Sequence, residues 1–180
     1  MRNISGLICE ILDDKPLCFK GYQEVLSGKK TVEEVRGSGS LKSLIAGYLT
    51  GLVGKLIDEN KFTVLAGRPG VHLDRRDNVS SAIAIFDQAV LPGAKISRKY
   101  VDVPPKIAIG IDIDADVTEL TETGYIHKKT RKLLQFGVEK IIWVLTEAQV
   151  VMVATADRIE TFDWHRDIEL MDGQLFNIGG

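Results

Sequence analysis

Residues 104–146 read PPKIAIGIDIDADV (104–117), then, after a polar bridge, YIHKKTRKLLQFGVEK (125–140) and IIWVLT (141–146). In the first piece isoleucine at 107, 109, 111 and 113 alternates with Ala108, Gly110, Asp112 and Asp114. A period of two predicts a strand with one greasy face and one small or acidic face, so that Asp112 and Asp114 share a side. The second piece has helical spacing and the third is a buried apolar run, which makes the unit strand, helix, strand. On the helix, Lys129 falls on the apolar arc with Ile126, Leu133 and Phe136, while Lys128 and Arg131 point away. Spacing alone predicts that the Lys129 stem covers core surface and its amine reaches out to water.

Outward from this unit the pattern is mostly strands. LICEIL (7–12) and PLCF (16–19) make a hairpin about Asp13, Asp14 and Lys15. Residues 21–37 are too poor in apolar positions for a core helix and read as short helical turns. In 41–57, leucine, isoleucine and valine recur at three and four, with Ser40 the expected N-cap. Gly47, Gly51 and Gly54 on that helix suggest close backbone packing against a sheet. FTVLAG (62–67) and VHL (71–73) flank the turn at Arg68, Pro69 and Gly70, and VSSAIAIF (79–86) alternates as one further strand. Residues 87–103 form a loop carrying Lys95, Arg98 and Lys99, a cluster able to touch phosphate although such loops are more often simply solvated. After Gly137 come a hairpin of 141–145 with 149–154 and a terminal hairpin turning at Asp172 and Gly173.

The chain has 180 residues, 44% of them hydrophobic and 27% charged, with a net charge of −2. That size suits one domain over 1–180, and the charge shows no generally basic surface, so any nucleic-acid contact would be local. No apolar run approaches the roughly 20 residues of a membrane helix, and the N-terminus carries charge where a signal peptide has its apolar core, so a cytoplasmic protein is expected. Cys9 and Cys18 are expected as reduced, buried thiols. SGKKT (27–31) is not a phosphate loop, because Gln23 stands where that motif needs glycine. His72, His127 and His165 lack metal-ligand spacing, and there is no serine elbow.

The order helix, three strands, helix, strand, with acids on the middle strands and an inward lysine, resembles the PD-(D/E)XK nuclease superfamily. More closely it resembles the bacterial family labelled putative restriction endonuclease. The segments that carry the resemblance are the N-terminal hairpin, SSAIAIF, PPKIAIGIDID, KKTRKLLQFGVEKIIWVL and the closing hairpins. It implies an α/β (α+β) fold with a restriction-endonuclease-like core, a mixed central sheet flanked by helices, and added hairpins at both ends. It also implies a metal-dependent DNA endonuclease ancestry.

Against the family pattern the catalytic lysine falls on Lys129, while the two primary acid positions fall on Ala82 and Gly110. Such enzymes hold Mg2+ on carboxylates from adjacent strands, activating water and neutralising charge on the scissile phosphate. Asp112, about 6.6 Å beyond Gly110 on the same face of an ideal strand, and Asp114 are the remaining candidates for a shifted metal site, with Lys129 and Asp112 as the catalytic pair. Two functions follow from the resemblance. One is a Mg2+-dependent hydrolase acting on DNA through Asp112, Asp114 and Lys129. The other is a non-catalytic binding or assembly protein, forming a homodimer, that retains the scaffold.

Overall fold

In the computed structural model, which describes residues 4–180, the chain begins with β1 (Ile8–Leu12) and β2 (Lys15–Cys18). Two short helices, α1 (Tyr22–Leu26) and α2 (Val32–Arg36), lead to the long helix α3 (Ser40–Leu56). Strands β3 (Phe62–Ala66), β4 (Gly70–Asp74), β5 (Asp77–Ser80) and β6 (Ile83–Asp87) follow, then a long loop. The chain continues through β7 (Ile107–Ile111), α4 (Glu122–Phe136), β8 (Lys140–Leu145), β9 (Val150–Ala154) and β10 (Ile159–Asp163), and ends in the hairpin β11 (Ile168–Met171) and β12 (Gln174–Phe176).

The central sheet has the order β10-β9-β8-β7-β6-β3. Only β7 and β8 run parallel in it, because a helix separates them in sequence, and the other pairs are antiparallel. The fold is therefore α+β with a six-stranded mixed sheet. On one face α3 packs Ile45, Leu49 and Val53 against Ile83, Ile85, Ile107, Ile109, Ile142 and Val144, and the terminal hairpin adds Ile168, Leu170 and Phe176. On the other face α4 contributes Tyr125, Ile126 and Leu133 against Ala108, Ile141, Trp143 and Met152. The alternation along β7 thus divides its side chains between two cores. A second sheet, β2-β1-β5-β4, lies on the α4 side through Leu12 and Val79.

Helix α4 starts where the Thr121 hydroxyl accepts from the Gly124 N–H at 3.1 Å, and stops at Gly137. Gly137 has φ 121°, and a side chain there would strike Pro104. The closing hairpin turns at Asp172 (φ 52°) and Gly173 (φ 76°), two successive left-handed residues as a tight two-residue turn requires. Cys9 and Cys18 are free thiols. Among the described residues no helix is long and apolar enough to cross a membrane.

Four local expectations are corrected. Residues 79–86 are not one strand: β5 ends at Ser80 in the second sheet and β6 begins at Ile83 in the central one, with the chain changing sheets at Ser81 and Ala82. The tail from Thr161 to Ile178 is not all one hairpin: Thr161, Phe162 and Asp163 belong to β10, the edge of the central sheet, paired with β9. Ser40 is the first helical residue of α3 and Gly39 is its N-cap. Gly47, Gly51 and Gly54 face open space, so they do not bring the helix backbone onto the sheet.

Candidate functional site

Ala82, Gly110, Asp112 and Lys129 converge. They line one cavity of about 30 Å3 together with Glu10, Ser80, Tyr125 and Trp143. That volume holds one or two water molecules. Ala82 comes from the sheet-changing bend, Gly110 and Asp112 from the end of β7, and Lys129 from the inner face of α4. The convergence of the strand end on the helix follows from the β7–α4–β8 crossover.

Lys129 does not reach out to water. It is only 5% exposed, and its amine meets Glu10 Oε2 at 2.6 Å, the Ser80 carbonyl oxygen at 2.5 Å and the Tyr125 hydroxyl oxygen at 3.1 Å. An ammonium has three N–H donors, and three acceptors surround it. The amine also lies 5.2 Å from the centre of the Trp143 ring. Glu10 is equally enclosed, at 3% exposure. Its Oε2 accepts from the Ser80 N–H at 2.8 Å as well as from Lys129, and its Oε1 accepts from the Tyr125 hydroxyl. Burial, reinforced by Glu10, holds the Tyr125 hydroxyl well above its usual range. The result is a buried ion pair with satisfied hydrogen bonds, tying β1, the end of β5 and α4 together.

Gly110 leaves no room for a ligating side chain. Trp143 is its parallel neighbour on β8, and a Cβ on Gly110 would lie 2.9 Å from Trp143 Cε3 and 3.0 Å from Cζ3. The indole cannot readily yield. It is 2% exposed, donates from Nε1 to Thr130 Oγ1 at 3.1 Å, and takes the Tyr125 ring edge-on at 6.1 Å. Ala82 is held by its backbone N–H on the Ile109 carbonyl at 2.8 Å and presents only a methyl group.

Asp112 and Asp114 both line the cavity, but their carboxylates take different partners. Strand β7 stops at Ile111 because Asp112 takes φ 55°, which ends the pleat and turns its side chain along β8. There Oδ1 accepts from the Thr146 N–H at 2.8 Å and Oδ2 from the Thr146 hydroxyl at 2.6 Å, fastening the ends of two strands. Asp114 pairs with Lys42 of α3 and, at 3.4 Å, with Arg68. Arg68 lies over the Phe19 ring at 4.9 Å and places Nη2 3.4 Å from Cys9 Sγ. The Cys9 thiol is pushed up to about 12, chiefly by burial and then by Glu10, so it stays protonated.

A hydrated Mg2+ needs oxygen ligands at about 2.1 Å in octahedral array. Here Ala82 and Gly110 have no side-chain oxygen to offer, and the nearby acids are engaged with Thr146, Lys42, Arg68 and Lys129. Among the described residues no group of three or more His, Cys, Asp or Glu side chains could hold a metal. The donor set does not fit the ion.

Glu10, Ser80, Tyr125 and Trp143 complete the site and were not singled out from sequence. Glu10 alone left a trace there, as the single charge inside the apolar run LICEIL. Its partners are distant in the chain, 115 residues in the case of Tyr125.

The architecture is that of a nuclease-like fold. A solved structure from Anabaena variabilis ATCC 29413, described as a putative nuclease belonging to DUF820, superimposes with a TM-score of 0.64 over 79% of this chain and 80% of that one. The two are 13% identical, so the likeness shows the fold alone. No family model matches the sequence, and no curated protein matches it.

Proposed function

We propose that this chain, as one PD-(D/E)XK-type domain over 1–180, is a nucleic-acid-binding protein that does not hydrolyse its ligand. The observation that carries the reading is the Lys129–Glu10–Tyr125 network beside the Trp143 ring on Gly110. A lysine that stabilises charge on a reacting phosphate needs N–H donors directed at the place where that charge develops. All three donors of Lys129 are directed at the protein itself. DNA is the partner that the nuclease-like architecture suggests, and fold by itself does not carry chemistry once the site has changed.

Incubation of plasmid DNA with the protein in Mg2+ or Mn2+ tests this. The supercoiled form is expected to persist. Cleavage that disappears in Lys129→Ala and Asp112→Asn would overturn the reading and restore the hydrolase with Asp112, Asp114 and Lys129 at its centre.

A further inference from the structure

The loop between β6 and β7 carries Lys95, Arg98 and Lys99, with no acidic residue between Asp87 and Asp102. Every residue from Gly93 to Tyr100 is exposed, and among the described residues none of the three cations has an ion pair. They line a groove of about 420 Å3 against the start of β4, together with Ile96, Tyr100 and Asp102. This groove is separate from the small cavity around Lys129, with which it shares no lining residue.

Tyr100 sits against the start of β4. Its ring lies flat over Gly70, where a Cβ would come within 2.5–2.6 Å of Cζ, Cε1 and Cε2, so the close approach needs glycine. The next residue is fixed to β4: Val101 donates to the Gly70 carbonyl at 3.0 Å, and His72 donates to the Val101 carbonyl at 2.7 Å. At the other end Lys95 closes a short turn on Pro92 at 2.9 Å. The ring nevertheless belongs to a residue that is 55% exposed. The loop thus presents an exposed aromatic surface next to three cations that have no ion-pair partner among the described residues. Cations that track phosphates beside a platform for a base are what single-stranded nucleic acid requires.

We infer that the 95–100 loop and the β4 end form a binding groove for single-stranded nucleic acid, with Tyr100 stacking on a base and Lys95, Arg98 and Lys99 meeting its phosphates. This rests on the nucleic-acid partner proposed above. Plasmid cleavage decides whether the chain is a hydrolase, whereas variants of this loop decide where a strand sits, so the two can fail separately.

The test is fluorescence anisotropy with a short labelled oligothymidylate. Three phosphate contacts on a single strand give a salt slope of about 2, or roughly 20-fold weaker binding over a fourfold rise in salt. Arg98→Ala with Lys99→Ala is expected to reduce the slope to about 0.7. Tyr100→Leu, which still covers Gly70, is expected to weaken binding at least about 5-fold by removing the stack. Circular dichroism shows whether these surface variants keep the fold. Affinity and slope unchanged in the variants would overturn the inference. So would no binding at low salt, equal binding of a duplex with no effect of Tyr100→Leu, or binding of anionic vesicles but not of the oligonucleotide.

Discussion

Breaking the buried pair by Glu10→Leu is expected to be severe. The substitution leaves the Lys129 ammonium, 5% exposed, without its counter-charge, and removes acceptors from the Ser80 N–H and the Tyr125 hydroxyl. A buried charge stripped of its partner costs about 3–5 kcal/mol, a large part of the roughly 5–15 kcal/mol that holds a domain together. Lys129→Met alone strands the carboxylate and falls in the same range. The double variant Glu10→Leu/Lys129→Met removes both charges at similar volume. It should cost only about 1–3 kcal/mol, most of it from the unpaired Ser80 N–H. Two independent losses would sum to at least about 6 kcal/mol, so the coupling is at least about 3 kcal/mol. Urea unfolding followed by far-ultraviolet circular dichroism measures all four species. A lysine kept free for chemistry would behave differently, since Lys129→Met would then leave stability unchanged or raise it. Single variants costing less than about 1 kcal/mol, or additive losses, would refute the structural role of the pair.

Three further outcomes follow from the same geometry. Gly110→Ala should destabilise by about 1–3 kcal/mol through overpacking on Trp143, and Trp143→Phe in the same chain should recover part of it, both read from urea midpoints. Asp112→Ala removes both bonds to Thr146 and should cost about 1–3 kcal/mol. Asp112→Asn keeps an acceptor and tolerates the left-handed backbone, so thermal melts should place it much nearer the parent. The Asp13 carboxyl is held at about 2, first by Lys128 and then by Lys132, against an ordinary value of 3.8. A carboxyl lowered on folding stabilises above its unfolded value, and this is lost as pH falls from about 4 towards 2. Solvent screening at the surface leaves about 0.5–1 kcal/mol. Comparing Asp13→Asn with the parent at pH 5 and pH 2 should show that difference at pH 5 and its loss at pH 2.

Much of the scaffold was legible because its signals are local. The alternation over 107–111, the helical spacing of α4 and the Gly137 stop define the strand, helix, strand unit, and Asp172–Gly173 marks the last turn. The apolar arc of α4 put Lys129 inward or along the margin, but the expectation that its amine reaches water is overturned by its buried partners. What the amine meets was not legible, because Glu10 arrives from the first strand and periodicity on one element says nothing about a distant one. The alternation also ran two residues too far. Ile113 keeps the period after Asp112 has already turned out of the strand to bind Thr146. The split at Ser81 and Ala82 was hidden for a similar reason, since a chain can change sheets without breaking an alternating pattern. The filling of the Gly110 site by Trp143 is a matter of parallel register, which only the folded β7–β8 pair defines.

The proposed role of the residues around Lys129 is an internal lock with no metal site. Mn2+ titration followed by water-proton relaxation tests it on the parent and on Ala82→Asp/Gly110→Glu/Trp143→Ala, which puts oxygen ligands in place and clears the indole from above position 110. The parent is expected to show no stoichiometric site, and the triple variant to gain one if it folds. One tight Mn2+ per parent chain, lost on Asp112→Asn, would show a metal centre there and overturn the lock.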